Sequence, residues 1–296
     1  MSDDELSGEA DTVSSSADVF SLLGDGVRLE IIAVLNDDEL RTVSFSALHD
    51  QVGLADSGQF NYHLSKLVPH FVSKTDGGYR LTSAGRRVAR AVNAGYYTKS
   101  VELAPFETEG ACLFCGETAL EASYTDEQFH IDCTACGEAV IGVNAPPSLV
   151  RGRQPAEALS AFDRWSQSRV EQAARDRFCP YCGGPVEPTH RRDHPLERFD
   201  VLPAFECRVC SGTITTSFGA IAATDPDVES FIERYGSGND HRNYWELEQY
   251  VTDRHVELLS EEPWRVSVTF PADKKRCRVT IDGEHEIIRT EIERRE

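Results

Sequence analysis

Eight of the nine cysteines stand in four pairs with the spacing CxxC, and these pairs carry the clearest chemistry in the chain. They are Cys112 with Cys115, Cys133 with Cys136, Cys179 with Cys182, and Cys207 with Cys210. A CxxC loop presents two thiolates to one tetrahedral ion, and two such loops about 15 to 25 residues apart complete a four-ligand site. We therefore expect all eight cysteines to be metal ligands, holding two structural Zn²⁺ ions.

Other uses of these thiols remain open at this stage. Thiolate sets also suit an iron cluster or redox dithiols, and spacing does not exclude an ion shared between the Cys112/Cys115 and Cys179/Cys182 loops. A four-cysteine site leaves no open coordination position, so the ion is expected to fold a small segment rather than to catalyse. His190 and His194 are spare ligands at best and are expected to face solvent, and Cys277 has no assigned role.

The four pairs predict an internal repeat of two zinc ribbons, Cys112 to Gly142 and Cys179 to Gly219. Glycine follows three pairs directly and lies one residue further on at Gly212, as expected where the backbone turns tightly around a bound sulfur. We place the ribbons at residues 105–150 and 178–222. The helical pattern from Pro155 to Arg177, within a connecting segment at 154–177, joins them.

The first hundred residues predict a different kind of structure, built from helices and a hairpin. Apolar periodicity predicts two helices that meet at Gly24-Asp25-Gly26, a third from Phe45 to Val52 and a fourth from Ser57 to Leu67. Residues 71–81 have the pattern of a hairpin around Asp76-Gly77-Gly78, and a last helix follows Thr82-Ser83 through Asn93. This order predicts a winged helix-turn-helix over residues 17–98.

The fourth helix and the hairpin contain the candidate DNA contacts. Amide, hydroxyl and aromatic groups on the outward face of a helix are suited to reading base edges in the major groove, and cations on the hairpin to phosphates. The predicted contacts are Ser57, Gln59, Asn61, Tyr62, Ser65, Lys66, Lys74, Arg80 and Arg86. Residues 57–95 hold six basic side chains and one acid, a local charge of +5 in a chain of -20. A small helical bundle with a solvated basic side is the alternative.

Three segments resemble a known family. The runs LLGDGVRLEII at 22–32, QFNYHLSKL at 59–67 and LTSAG at 81–85 are similar to ArsR-type winged-helix transcriptional regulators, most of all to the forms common in haloarchaea. The resemblance implies a homodimer that binds double-stranded DNA at a pseudo-palindromic operator. The founding metal sensors of that family carry cysteines on the helix before the recognition helix, whereas residues 45–52 have none, so metal sensing is not implied. His49 and Asp50 are expected to be surface residues.

Composition places limits on the setting. Residues 1–16 carry five acids and no base, which predicts a disordered acidic tail rather than a signal peptide. No apolar run is long enough to span a membrane, so we expect a cytoplasmic protein with reduced cysteines. Acidic residues number 50 against 30 basic ones, of which five are lysine, and this pattern suggests a halophilic archaeal source. An acidic mesophilic protein with a basic binding face is the alternative.

Residues 225–296 predict a small α+β end, which makes the whole chain an α+β protein. Helical patterns cover Val228 to Tyr235 and Trp245 to Leu259, and strand patterns cover 264–270, 276–281 and 286–292. Tyr244, Trp245 and Trp264 could line an effector pocket or pack in a core. No phosphate loop, GxSxG elbow or HExxH pair occurs, so we do not expect an enzyme.

Three functions are weighed. The leading hypothesis is a DNA-binding regulator whose C-terminal half contacts an effector or a protein partner. A zinc-ribbon adaptor of the transcription machinery that binds protein or RNA is the second. A redox enzyme that uses the ribbons is the third.

Overall fold

The computed structural model describes residues 15–36, 42–97, 100–235 and 243–294. The chain divides into two compact units between Lys99 and Ser100. Of the predicted acidic tail at 1–16, only Ser15 and Ser16 belong to the described residues. The architecture is a mixture of helices and antiparallel sheets, as the α+β prediction requires. No helix in the described ranges is both long and apolar enough to cross a membrane.

The first unit consists of helices and one hairpin. Its elements are α1 (Ser16–Ser21), α2 (Gly26–Asn36), α3 (Phe45–Val52), α4 (Ser57–Leu67), β1 (Val72–Thr75), β2 (Gly78–Leu81) and α5 (Ser83–Ala94). Side-chain oxygens of Ser44 and Thr82 accept backbone N–H groups at the starts of α3 and α5. Helix α4 ends at Leu67 because the residue before Pro69 is biased towards extended backbone.

The helices and the hairpin of this unit close over one core. Ile31, Leu48, Phe60 and Leu64 are each at most 1% exposed and lie on the inward stripes of α2, α3 and α4. Apolar side chains at spacings of three and four form such a stripe on a helix, and its burial stabilises the unit. The polar residues between them are thereby left on the opposite faces.

Two glycines allow the hairpin to approach its neighbours closely. Gly78 has φ 134°, and a Cβ there would lie 2.2 Å from the carbonyl oxygen of Val43, a residue that forms an isolated β-bridge with Tyr79 of β2. A Cβ on Gly85 of α5 would lie 2.1 Å from the carbonyl oxygen of Phe71. The hairpin therefore packs closely against Val43, in the segment before α3, and against the start of α5.

The second unit begins with a four-stranded antiparallel sheet and a long helix. The strands are β3 (Leu103–Thr108), β4 (Leu120–Thr125), β5 (Gln128–Cys133) and β6 (Ala139–Asn144), in that spatial order. We call residues 103–144 the first cysteine module. A 3₁₀ turn at Pro147–Leu149 leads to α6 (Pro155–Ala174), which begins with proline at its first turn.

Two further sheets complete the second unit. The second cysteine module, residues 178–215, contains β7 (Val186–Arg191), β8 (Leu202–Cys207) and β9 (Thr213–Thr215). It is followed by α7 (Phe218–Ala222), α8 (Pro226–Tyr235), a 3₁₀ turn at Tyr244–Glu246 and α9 (Glu248–Val251). The last sheet is a meander of β10 (Val256–Glu261), β11 (Trp264–Pro271), β12 (Lys275–Asp282) and β13 (Ile287–Arg294).

The segments predicted as separate modules share one hydrophobic core. Phe162 of α6 stacks on Phe129 of the first cysteine module with ring centroids 4.5 Å apart, and both rings are fully buried. Phe205 of the second module and Val279 of the last sheet belong to the same buried cluster. Helix α6 is thus part of the core and not an isolated connector.

The predicted helix from Trp245 to Leu259 is wrong. Trp245, Gln249 and Tyr250 are buried in the 3₁₀ turn and in α9, as a helical pattern would require, but α9 ends at Val251. From Val256 the chain is a strand that pairs with β11, with Val256 opposite Val268. Pairing with a strand that follows in sequence outweighs the local helical periodicity here.

Candidate metal centres and nucleic-acid interface

The eight paired cysteines form two clusters, one in each cysteine module. Each cluster takes four sulfurs that all lie within 4.8 Å of one another. In the first module Cys112 and Cys136 are 3.8 Å apart and Cys115 and Cys133 are 3.7 Å apart, measured between Sγ atoms. In the second, the Cys179–Cys210 and Cys182–Cys207 distances are 3.6 and 3.5 Å.

These distances fit four thiolates around one ion. A tetrahedral site with metal–sulfur bonds of about 2.3 Å has sulfur–sulfur edges of about 3.8 Å, whereas a disulfide needs about 2.05 Å. All eight cysteines are free thiols. Each module supplies a complete ligand set, so the alternative in which an ion is shared between the modules is excluded, and the chain could hold two metal ions.

The same hydrogen bonds shape all four CxxC loops. The N–H of the residue after each pair donates to the carbonyl oxygen of the first cysteine, at 2.8 Å in three loops and 3.1 Å in the fourth. In three loops this residue is a glycine with φ between 77° and 82°. In the fourth it is Ser211, with φ 56°, so Gly212 does not replace the missing glycine. A Cβ on Gly212 would instead meet the ring of Tyr181 at 2.7 Å.

Backbone N–H groups prepare one sulfur in each cluster to be a thiolate. The N–H of Cys136 lowers the pKa of Cys133 to about 7, and that of Cys210 lowers the pKa of Cys207 to about 6. A backbone N–H also favours the thiolates of Cys136 and Cys210, but desolvation and the neighbouring sulfurs outweigh it and raise both pKa values to about 12. A bound cation would stabilise four thiolates this close together.

The two candidate histidines and the ninth cysteine lie outside both clusters. Among the residues that the structure describes, neither His190 nor His194 belongs to a group that could hold a metal. His190 is exposed and contacts His285, while His194 is half-buried, so the expectation that both face solvent is only partly met. Cys277 is fully buried in β12, and desolvation raises the pKa of its thiol to about 11.

In the first unit, the predicted DNA contacts on α4 share its outward face. Ser57, Gln59, Asn61, Tyr62, Ser65 and Lys66 are all exposed, while Phe60, His63, Leu64 and Leu67 point inward. The Nζ of Lys66 lies 5.6 Å from the centroid of the Tyr62 ring, over the ring. The hydroxyl of Ser65 donates to the carbonyl oxygen of Tyr62 at 2.8 Å, so one of its hydrogen bonds is already used.

The predicted basic contacts are of two kinds. Lys74 on β1 and Arg80 on β2 are exposed on the hairpin. Arg86 is half-buried and donates to the carbonyl oxygen of Leu81 at 2.8 Å and to the hydroxyl of Ser83 at 3.2 Å. Arg86 therefore fixes the junction between β2 and α5, whereas the side chains of Lys74 and Arg80, like that of Lys66 on α4, are exposed.

Sequence reasoning missed two residues that position α4. Asp56 caps the helix and accepts the N–H groups of Gly58 and Gln59 at 2.7 and 3.2 Å. His63 is 8% exposed, and its Nδ1 lies 3.4 Å from Oδ1 of Asp25 in the turn before α2. The capping role of Asp56 could have been predicted, because an aspartate directly before a helix is a recognised capping signal. The contact between His63 and Asp25 could not, because it depends on the packing of α4 against the turn before α2.

Of the three aromatic residues proposed for an effector pocket, one lines a cavity and two pack against other side chains. Tyr244 lines a cavity in the second unit, whereas Trp245 is buried in the core and Trp264 packs against His190. Arg169 and Arg198, which sequence reasoning did not single out, also line this cavity. No local pattern marks them, because they lie on different elements 29 residues apart in sequence.

Comparison with known families covers both units. Residues 109–287 match the family described as Domain of unknown function (DUF7351). This range includes both four-cysteine clusters. Residues 16–92 match the family described as Domain of unknown function (DUF7347), which covers the helices and hairpin of the first unit. The search of curated proteins gave no match.

Proposed function

Because the chain belongs to the DUF7351 family, whose description assigns no activity, we propose its function from its own residues: it is a DNA-binding transcriptional regulator and not an enzyme. In this proposal α3 and α4 form a helix-turn-helix with the β1–β2 hairpin as its wing, and α4 enters the major groove. The cysteine modules are zinc ribbons, each with one structural Zn²⁺.

The observation that carries the proposal is the outward face of α4. Gln59, Asn61 and Tyr62 are exposed together on a helix whose other face is anchored in the core. Amides form paired hydrogen bonds with adenine edges, and this chemistry specifies sequence. Core packing explains the inward stripe and leaves the outward face free to contact DNA.

The charge of the surrounding elements supports the same assignment. The exposed side chains of Lys74, Arg80, Arg87 and Arg90 follow α4 in sequence, in a chain whose net charge is -20. Phosphate contacts position a protein on DNA without reading sequence, and base contacts give specificity. A wing with cations beside a helix with amides provides both functions.

Zinc is the proposed metal because of the ligand set. Four thiolates with no open position suit Zn²⁺ as a structural ion, and binding would supply folding free energy to the cysteine modules. The proposed homodimer follows from the resemblance to ArsR-type regulators, and it would place two α4 helices in half-sites about one helical turn apart.

The test is a footprinting and competition experiment with promoter DNA from the source genome. We expect the full chain to protect a defined site in the presence of excess nonspecific DNA, and the double variant Gln59→Ala, Tyr62→Ala to lose that protection. Tyr97→Ala is the matched control, since Tyr97 is 76% exposed outside α4. Equal affinity for all DNA sequences, or stronger binding to RNA, would contradict the proposal and favour an adaptor of the transcription machinery.

A further inference from the structure

The second unit contains a cavity of about 260 Å³. Its wall is built from β6, α6, the segment before β8, β9 and the segment around α9. These elements are far apart in sequence and come together only around the shared core. Pockets for drug-sized ligands usually have about 300–1,000 Å³, so a slightly smaller cavity suits a smaller molecule.

The cavity wall has an unusual charge for this protein. Acidic residues outnumber basic ones by 50 to 30 in the chain, yet Arg169 and Arg198 are the only charged side chains among the described residues that line the cavity. A half-buried guanidinium without a counter-charge, such as that of Arg169, is costly, and a bound anion would offset that cost. The wall therefore selects for negative charge.

Arg169 is held in position to receive such an anion. Its guanidinium stacks 4.4 Å from the ring centroid of Trp165 and 5.1 Å from that of Tyr181, and it donates to the Tyr181 hydroxyl. Its Nε is buried and has no hydrogen-bond partner. Within the described ranges no carboxylate lies within 4.0 Å of it. The charge is thus fixed by aromatic rings and is not neutralised by an acid there.

Arg198 and Thr216 of the same wall also carry hydrogen-bond donors. Arg198 is fixed by donating to the carbonyl oxygens of Ala139 and Val140 at 2.6 and 3.1 Å, and its Nε is also buried without a partner. Glu138 lies 3.9 Å from Arg198 but does not line the cavity. The hydroxyl of Thr216 is buried without a partner as well. Three residues that line this cavity thus each carry a buried polar atom without a hydrogen-bond partner, and such atoms call for a polar group nearby.

Another part of the wall is apolar, beside polar side chains such as Asn144 and Thr213. Leu196, Phe199, Leu202 and Val251 line the cavity together with Val140. A few polar groups that fix a head group, with apolar side chains around the remainder, are the usual composition of a small-molecule site. We propose that this cavity binds a small organic anion, with its carboxylate or phosphate head at Arg169, Arg198 and Thr216 and its apolar body against these side chains.

A competing role for Arg169 has to be separated from ligand binding. Tyr181, its hydrogen-bond partner, lies between Cys179 and Cys182 of the second cluster. Four thiolates around a divalent ion carry a net charge of -2, so Arg169 could serve to neutralise that cluster. In that case its replacement would weaken metal retention, and the Thr216 hydroxyl would have no part in binding.

The experiment measures binding of phenylacetate, phenyl phosphate and benzyl alcohol to the metal-loaded full chain. Binding is followed by calorimetry and by tryptophan fluorescence, since Trp165 lies beside Arg169. The two anions distinguish a carboxylate from a phosphate head, and the alcohol tests the apolar part alone. We expect saturable binding of one anion or both, at one per chain, and at least tenfold weaker binding of benzyl alcohol. The site lies wholly in the second unit, so this test is independent of DNA binding.

Three variants complete the test. Arg169→Gln should weaken anion binding at least tenfold and Thr216→Val about threefold, while Arg164→Gln, on the exposed side of α6, should leave it unchanged. The inference is overturned if neither anion binds the folded protein or if benzyl alcohol binds equally well. It is also overturned if Arg169→Gln releases metal while Thr216→Val binds like the wild type, because Arg169 would then act only as the counter-ion of the cluster.

Discussion

The Nε2 atoms of His190 and His285 lie 3.2 Å apart, and this contact joins β7 of the second cysteine module to the turn between β12 and β13. His285 is 1% exposed, and the ring of Trp264 lies 4.3 Å from that of His190. One ring must donate and the other accept, so at least one Nε2 has to be unprotonated. Two imidazolium rings cannot form this hydrogen bond.

Acid should therefore destabilise the second unit through this pair. Burial, followed by the charges of His190 and Arg177, lowers the pKa of His285 from 6.5 to about 3. A folded-state pKa below the unfolded value means that the stability is present above pH 6.5 and is lost as the pH falls towards 3. At pH 4 the loss is about 3 kcal/mol. The three tryptophans, Trp165, Trp245 and Trp264, all lie in the second unit, so their fluorescence reports its unfolding.

The variant His285→Asn tests that assignment, because asparagine tolerates the positive φ of 56° found there. We expect its unfolding free energy to depend less on pH between 6.5 and 4 than that of the wild type. His70→Asn, in the first unit, is the control and should keep the wild-type slope. An unchanged slope in His285→Asn would show that other groups cause the acid sensitivity.

Metal analysis of the full chain should find two zinc ions per molecule. The single replacement Cys136→Ser removes one ligand from the first cluster and should leave about one tightly held ion per chain. Cys277→Ser should retain two ions, since Cys277 is buried away from both clusters. Stoichiometric iron, or a folded sample without metal, would rule out structural zinc.

Replacement of Gly85 by alanine should destabilise the first unit, although alanine is the better helix former by about 1 kcal/mol. The added methyl group would meet the carbonyl oxygen of Phe71 at 2.1 Å, and relief of such overpacking costs about 1–3 kcal/mol. Gly26→Ala is the matched control, because no atom lies within 4 Å of a Cβ there. Amide hydrogen exchange in the first unit measures both, and equal protection in the two variants would disprove the close contact.

If the hairpin contacts phosphates, the double variant Lys74→Gln, Arg80→Gln should bind DNA with a shallower salt dependence. Each lost phosphate contact reduces the slope of log K against log salt by about 0.9. The order of preference among DNA sequences should not change, because phosphate contacts carry no sequence information. Titrations at several salt concentrations measure the slope, and a wild-type slope in the variant would remove the hairpin from the DNA interface.

Local patterns predicted much of this protein correctly. The bounds of α3 and α4 agree with the predicted 45–52 and 57–67, since caps, apolar stripes and a following proline are all encoded nearby. The CxxC loops likewise follow from short-range backbone turns. Where only local periodicity was available, as at 245–259, it failed, because β10 is created by its pairing with β11.

The sequence by itself thus determined the ligand types, the helices of the first unit and the polar face of α4, because each depends on residues within a few positions of one another. Only the tertiary structure decided which CxxC loops come together in one cluster, that α6 belongs to a common core, and that His190 meets His285. The same holds for Arg169, Arg198 and Thr216 around one cavity. These relationships join residues that are distant in the chain, and the packing of the shared core brings them together.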